Sequence, residues 1–153
     1  MTPAQHQALV DELIRDEGLR LKPYLDCCGK PWRACVCAVK GTLTIGVGRN
    51  LDDVGISRNE AMVLLEWDIG RAEQDARTFR WFDGLDPVRQ RAGLNLLFNL
   101  GLSKFMLFRH FIAAMAAKLY DKAGDELQAS VWYGQVGDRA KRIVAMIRTG
   151  DGG

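Results

Sequence analysis

The stretch "DEGLRLKPYLDCCGKPWRACVCAVKGTLTIGVGRN", residues 16–50, decides how the rest of the chain is read. It opens on the end of a helical pattern, loses that period at Pro23, and closes in strand-like alternation around Gly46 and Gly48. Between Pro23 and Gly48 the residues Gly, Pro, Cys, Thr and Val dominate, which predicts a small antiparallel sheet with turns near "GKPW" and "VKG". In "TLTIGVG" alternate residues face opposite ways, so Thr42 and Thr44 share one polar face while Leu43 and Ile45 share the other.

Upstream, Thr2 before Pro3 is a helix start, and Leu9, Val10, Leu13 and Ile14 recur at three- and four-residue spacing in an apolar stripe that ends near Gly18. Glu17 falls in the last turn, where a negative charge opposes the helix dipole. That position therefore serves something other than local structure. Downstream, Ser57 with Glu60 forms a capping box, and Met62, Leu65 and Ile69 carry a long helix to about Ala76. From "LDPVRQRAGLNLLFNLG" (85–101) onward the pattern is helical. Asp86 caps with Pro87 in the first turn, Gly101 stops, Ser103 opens a second apolar stretch, and Asp121 and Asp138 start later short helices. "RAGLNLLFNL" is apolar nearly all round, which predicts a central helix with others packed about it.

A chain of 153 residues with 48% hydrophobic content can bury one real core, so one compact unit with room for two lobes is expected. Residues 1–76 hold 9 Lys/Arg against 12 Asp/Glu and residues 77–153 hold 12 against 7, a net −3 beside +5. A basic half suits an anionic polymer without choosing which one. No run approaches the roughly 20 apolar residues of a membrane span, and the acidic, amphipathic N-terminus does not read as an export signal. Synthesis in the cytosol is the expectation.

With only His6 and His110, a Ser-His-Asp or Cys-His device has little to work with, and no phosphate-binding loop or dinucleotide fingerprint is present. A carboxylate pair around a strand hydroxyl remains: Glu17 at a helix end, Asp26 after the extended "KPYL", and Thr44 on the polar side of the next strand. Glycosidic cleavage asks for this chemistry, one carboxyl donating a proton to the leaving oxygen and one carboxylate acting across the sugar.

"DEGLRLKPYLD" followed by "LTIGVGRNL", then "LDPVRQRAGLNLLFNLG" and "WYGQVGDRAKRIVAMIRTG", resembles the phage-type lysozymes, glycoside hydrolase family 24, in order and spacing over almost the whole chain apart from about 27–41. The resemblance implies an α+β, mainly helical, two-lobed fold with a small antiparallel sheet. Its single lysozyme-like domain over 1–153 would comprise an N-terminal lobe at about 12–60, a connecting helix at about 57–76 spanning a glycan cleft, and a C-terminal lobe at about 77–153 on which the first helix packs. Glu17, Asp26 and Thr44 match the family's catalytic positions, Phe98 a cleft aromatic, and Arg139 an arginine beside the catalytic glutamate. Glu17 would be the general acid, Asp26 would stabilise positive charge on the sugar and direct water, and Thr44 would help hold that water. For Phe98 a plain core role is an equal alternative.

The implied activity is an endolysin that hydrolyses, with inversion, the bond between N-acetylmuramic acid and N-acetylglucosamine in peptidoglycan. It implies no cofactor, no metal and no nucleic acid. It also implies a monomer without membrane insertion, made in the host cytoplasm and reaching the periplasm through a holin-type pore. Rivals are a lytic transglycosylase, an inactive wall-binding module, and nucleic-acid binding by Arg139, Lys141, Arg142 and Arg148.

The sequence departs from the family where "CCGKPWRACVCAVKG" (27–41) replaces a short turn, so that seventeen residues separate Asp26 from Thr44. Arg49 stands where the family has a His, and Phe111 and Glu126 stand where it has a glycan-touching Ser and Asn. On strands, Cys35 and Cys37 face the same way and Cys27 and Cys28 opposite ways, and a longer hairpin around "GKPW" would bring one of each pair together. A disulfide among Cys27, Cys28, Cys35 and Cys37 is the first expectation, given an oxidising periplasm. Free buried thiols come second, and four-thiolate zinc third, since the spacing is not the usual one for ligands.

Overall fold

The computed structural model describes residues 1–152 and shows an α+β protein: eight α-helices and one three-stranded antiparallel sheet in the order β1-β2-β3 among the described residues. Two compact units divide the chain, Met1–Ala61 and Met62–Gly153. The division falls inside helix α2 (Arg58–Ala76), after its first turn.

In the first unit, α1 (Pro3–Glu17) is fixed at both ends by local chemistry. Gln5 N donates to Thr2 Oγ1 at 3.3 Å while Thr2 N donates to Gln5 Oε1 at 2.8 Å, a reciprocal capping box with Pro3 in the first turn. Gly18, at φ 75°, ends the helix and donates to Ile14 O. No residue of α1 is buried, so its stripe of Leu9, Leu13 and Ile14 stays largely exposed. Strand β1 (Arg20–Leu25) pairs with β2 (Leu43–Gly46) in the register Arg20↔Gly46, Tyr24↔Thr44, Leu25↔Leu43, with an irregularity between Arg20 and Tyr24. Pro23 sits in that bulge, where a missing N–H leaves no ladder bond broken. Strand β3 (Arg49–Asn50) returns along β2 after the tight turn at Val47 and Gly48, and Gly46 and Gly48 take φ of 68° and 64° that a side chain would resist.

The expected sheet turn at "GKPW" is absent. Residues 26–42 hold no strand, and the segment instead makes a turn after Leu25 and a short 3-10 turn at Trp32–Ala34. The expected capping box is present: Ser57 N donates to Glu60 Oε2 at 2.7 Å and Glu60 N to Ser57 Oγ at 3.2 Å. Arg49 donates to Gly55 O at 2.7 Å and forks onto both Glu60 oxygens at 2.7 and 3.2 Å. The sheet is thus tied to the start of α2 by a forked ion pair.

In the second unit, α3 (Pro87–Leu100) starts at Asp86, whose Oδ1 accepts from Val88 N and Arg89 N, and ends at Gly101. Ala92, Gly93, Leu96 and Leu97 are buried, but Arg91, Asn95, Phe98 and Asn99 are exposed. The helix is central on one face only, because packing against α8 (Asp138–Thr149) and α4 (Leu102–Phe105) leaves the opposite face to solvent. Helices α5 (Arg109–Ala116) and α6 (Tyr120–Gln128) complete the core with Phe111, Met115 and Leu127, and α6 packs on both α5 and α8. Helix α7 (Val131–Val136), capped by Ser130 and anchored by buried Trp132, falls in the stretch read as helical, although its start was not named there. No described helix is long and apolar enough to cross a membrane.

Arg89 ties this unit together. Its guanidinium donates to Asp86 Oδ2, Ile147 O and Arg148 O, each at 2.7 Å, and lies 3.8 Å over the Tyr120 ring, so it closes the last carbonyls of α8. Hydrogen bonds to a charged, largely buried group are the costly ones to lose, and Arg89→Met is expected to lower the unfolding free energy by about 3 kcal/mol, read from urea midpoints. The hydrogen bond from Arg89 holds the Asp86 carboxyl below its ordinary range. A depressed folded-state pKa gives stability that is present above the ordinary carboxylate pKa and is lost as pH falls through the depressed value. The acid-side loss of stability should therefore shrink in Asp86→Asn.

Candidate active site

Glu17 leaves the end of α1 and its carboxylate lies against the β2–β3 turn. A Cβ built on Gly48 would stand 2.9 Å from Glu17 Oε2, so the glycine makes the room. Its neighbour Arg15 is occupied by Asp16 at 2.9 Å.

Asp26 follows β1 directly, and its own N–H donates to Thr42 O at 3.2 Å. In return, Thr42 N donates to Asp26 Oδ1 at 2.9 Å and Thr42 Oγ1 to Asp26 Oδ2 at 2.7 Å. The Thr42 hydroxyl, helped by backbone N–H groups of Thr42 and Cys27, holds the carboxyl below its ordinary pKa. Gly41 permits this clasp, since a Cβ there would collide with Asp26 Oδ1 and lie 2.7 Å from Cys27 N. Thr42→Val removes the hydroxyl donor while keeping the shape. It is expected to raise the Asp26 carboxyl pKa towards its ordinary range, read by NMR titration of the side-chain carboxyl, and Thr42→Ser is expected to restore the depression.

Thr44, which the sequence reading put on the polar side of its strand, pairs with Tyr24 on one side and Asn50 on the other. It is instead the one buried polar residue described, at 5% exposure, because the strands on both sides cover it. Its Oγ1 donates to Thr42 O at 3.3 Å. With the proton so placed, the oxygen lone pairs are left to accept from a water.

Thr42, just before β2, links the two groups: its side chain and N–H hold Asp26, and its carbonyl accepts from Thr44 Oγ1. Glu17 meets the same hairpin at its other end, near Gly48. Thr42, which clasps Asp26, and Gly48, against which Glu17 lies, flank β2 on either side. Thr42 and Gly41 were not among the expected site residues. The Thr-x-Thr alternation carried a signal for Thr42, whereas the role of Gly41 depends on how the preceding loop returns.

Phe98 and Arg139 belong to the second unit. Phe98 is 42% exposed, which sets aside the core alternative. It lines a groove of about 460 Å³ together with Leu65, Ile69, Leu94, Asn95 and Arg139. Arg139 donates from Nε to Asn95 Oδ1 at 2.8 Å and from Nη2 to Asn95 O at 3.1 Å, so α3 fixes its guanidinium. Phe111 is a core residue, and His6 and His110 are both exposed.

The expected disulfide is not formed. All four cysteines are free, with Cys27 Sγ 3.8 Å from Cys28 Sγ and 3.7 Å from Cys35 Sγ, against about 2.05 Å in a disulfide. The expectation that Cys27 and Cys28 point apart assumed a strand. They lie in a turn closed by Gly29 N→Leu25 O at 2.7 Å and Leu25 N→Lys30 O at 2.8 Å, which lets both thiols face inward. Hydrogen bonding with Cys35 and Cys27 pushes the Cys37 thiol up to about 12, and Cys35 is lowered, first by a backbone hydrogen bond from Cys37.

A helix-end carboxylate over a small antiparallel sheet that carries a second carboxylate and a buried hydroxyl, in a chain with a separate helical unit, defines the class: an α+β protein with the lysozyme-like fold. The family model described as phage lysozyme matches residues 15–145, and the chain belongs to that family. It is 29% identical over 164 residues to the pre-baseplate central spike protein Gp5 of Enterobacteria phage T4, covering 95% of this chain but only 28% of the spike protein's length. It is 23% and 25% identical to the probable T4-type lysozymes 1 and 2 of Dictyostelium discoideum, with 94% of this chain and 95% of each relative covered.

Proposed function

We propose that the protein is a muramidase that hydrolyses the β-1,4 bond between N-acetylmuramic acid and N-acetylglucosamine in peptidoglycan, acting as an endolysin. The supporting observation is the Asp26 carboxylate clasped by Thr42, with the Thr44 hydroxyl beside it and Glu17 at the other end of the same hairpin. Glu17 donates the proton to the leaving oxygen. Asp26, held ionised, stabilises positive charge on the sugar and orients a water that also donates to Thr44 Oγ1. Inversion, which the family resemblance implies, has Asp26 direct that water and not attack the sugar itself.

Phe98 offers an apolar platform to a sugar face, and Arg139 a fixed cation to the carboxylates of the wall polymer. The enzyme would work as a monomer in the periplasm, reach it through a holin-type pore, and need no nucleic acid or membrane insertion. Incubation with purified Gram-negative sacculi tests the reading. Soluble muropeptide fragments are expected, and binding to sacculi without release would make the chain a wall-binding module instead.

A further inference from the structure

The geometry points to a structural zinc site formed by Cys27, Cys28, Cys35 and Cys37. One ligand atom from each lies within 4.8 Å of all the others. Zinc–thiolate bonds of about 2.3 Å in a tetrahedron place neighbouring sulfurs about 3.8 Å apart. The two Sγ separations of 3.8 and 3.7 Å are that edge length.

The loop is built so that an unusual ligand spacing converges. Gly29 takes φ 66° to reverse the chain after Cys28, and Arg20 Nη1 donates to Gly29 O at 2.8 Å while its guanidinium lies 4.2 Å over Tyr24, strapping the turn to β1. The chain then crosses Pro31 and the 3-10 turn at Trp32–Ala34, and Cys35 leaves that turn in extended conformation at φ −79°, ψ 126°. Extension through Val36 turns Cys37 to the same side as Cys35, while the Val36 side chain is left in solvent at 89% exposure. A soft, closed S₄ set is the chemistry of zinc, and a site with no fifth donor suits a structural ion.

Binding releases four thiol protons to solvent and leaves a zinc tetrathiolate of charge −2, with no change in oxidation state. The segment 27–41 carries Lys30, Arg33 and Lys40 and no carboxylate, so its own cations offset that charge. The site also bears on Asp26. Cys27 is its neighbour in the chain and Gly41, at the far end of the loop, packs on both, so the ion would close the loop that holds the clasp.

The test uses the full chain, purified under reducing conditions and dialysed against metal-free buffer. About one zinc per chain should be retained, and four thiols should react with a disulfide reagent only after a strong chelator is added. Zinc chloride titrated into the reduced apo-protein should restore that protection. Cobalt(II) in its place should give thiolate charge-transfer bands and the visible d–d bands of tetrahedral coordination. Cys27→Ser with Cys37→Ser should weaken zinc retention by at least about 100-fold. Retention of no zinc, four thiols equally reactive with and without zinc chloride, an octahedral cobalt spectrum, or a disulfide in non-reducing peptide maps would each overturn the assignment. Because these readouts are metal content and thiol reactivity, they stand apart from any result on peptidoglycan.

Discussion

Glu17→Gln is expected to lower the rate of sacculus digestion by about 10³-fold or more while the folding midpoint stays where it was or rises slightly. The amide keeps the shape of the carboxylate, so it fits against Gly48 as Glu17 does, where a larger change at that contact would disturb the turn. It holds no proton at the acidity needed to protonate a glycosidic oxygen. The small gain in stability follows from its place, since removing a negative charge from the last turn of a helix relieves an unfavourable interaction with the dipole. Binding to sacculi should persist. A folded variant with substantial clearing activity would remove Glu17 from the mechanism.

The second large effect is expected at a residue with no chemistry of its own. Gly41→Ala places a methyl group where Asp26 Oδ1 now lies and 2.7 Å from the backbone nitrogen of Cys27. Backbone on one side cannot yield cheaply, so the Asp26 carboxylate must leave Thr42, and both of its hydrogen bonds go with it. A displacement of about 1 Å in a positioned catalytic group costs on the order of 10²-fold, and that is the loss in kcat expected here, with KM less affected. Gly70→Ala serves as control. It sits within α2 with no atom near the added methyl, and helix propensity predicts an unchanged rate and a gain of up to about 1 kcal/mol in stability.

The ends of the elements were readable because their determinants are local. Thr2 with Pro3, Ser57 with Glu60, and Asp86 with Pro87 each satisfy backbone N–H groups a few residues away, and the structure places helix starts at all three. The start of α7 was not named within the stretch read as helical, because "VWYGQV" is rich in residues of strand propensity and holds Gly134, while the Ser130 cap and the burial of Trp132 decide its state. The face of α3 was legible only in part, since the exposure of Phe98 depends on where α8 lies and not on the helix's own pattern.

At the site, the spacing of Glu17, Asp26 and Thr44 was a weak signal by itself and the family resemblance supplied their roles, while strand alternation pointed to the shared face of Thr42 and Thr44. Pairing, however, determines burial, so Thr44 could not be known as enclosed before β1 and β3 were seen on either side of it. The loop at 27–41 was the least legible. Whether two adjacent cysteines diverge or converge depends on whether their backbone is extended or turned, and a one-state difference there separates a hairpin disulfide from a four-sulfur cluster.

The central claim is that two carboxylates and a hydroxyl gathered about one small sheet deliver a proton and a water to a glycosidic bond. Digestion of sacculi in ¹⁸O-labelled water, followed by mass spectrometry of the released muropeptides, tests it most directly. The account predicts reducing-end muramic acid carrying one ¹⁸O atom per bond cleaved. Unlabelled 1,6-anhydromuramic ends would contradict it, because they would mean that the sugar's own hydroxyl, and not a water held by Asp26 and Thr44, completed the reaction.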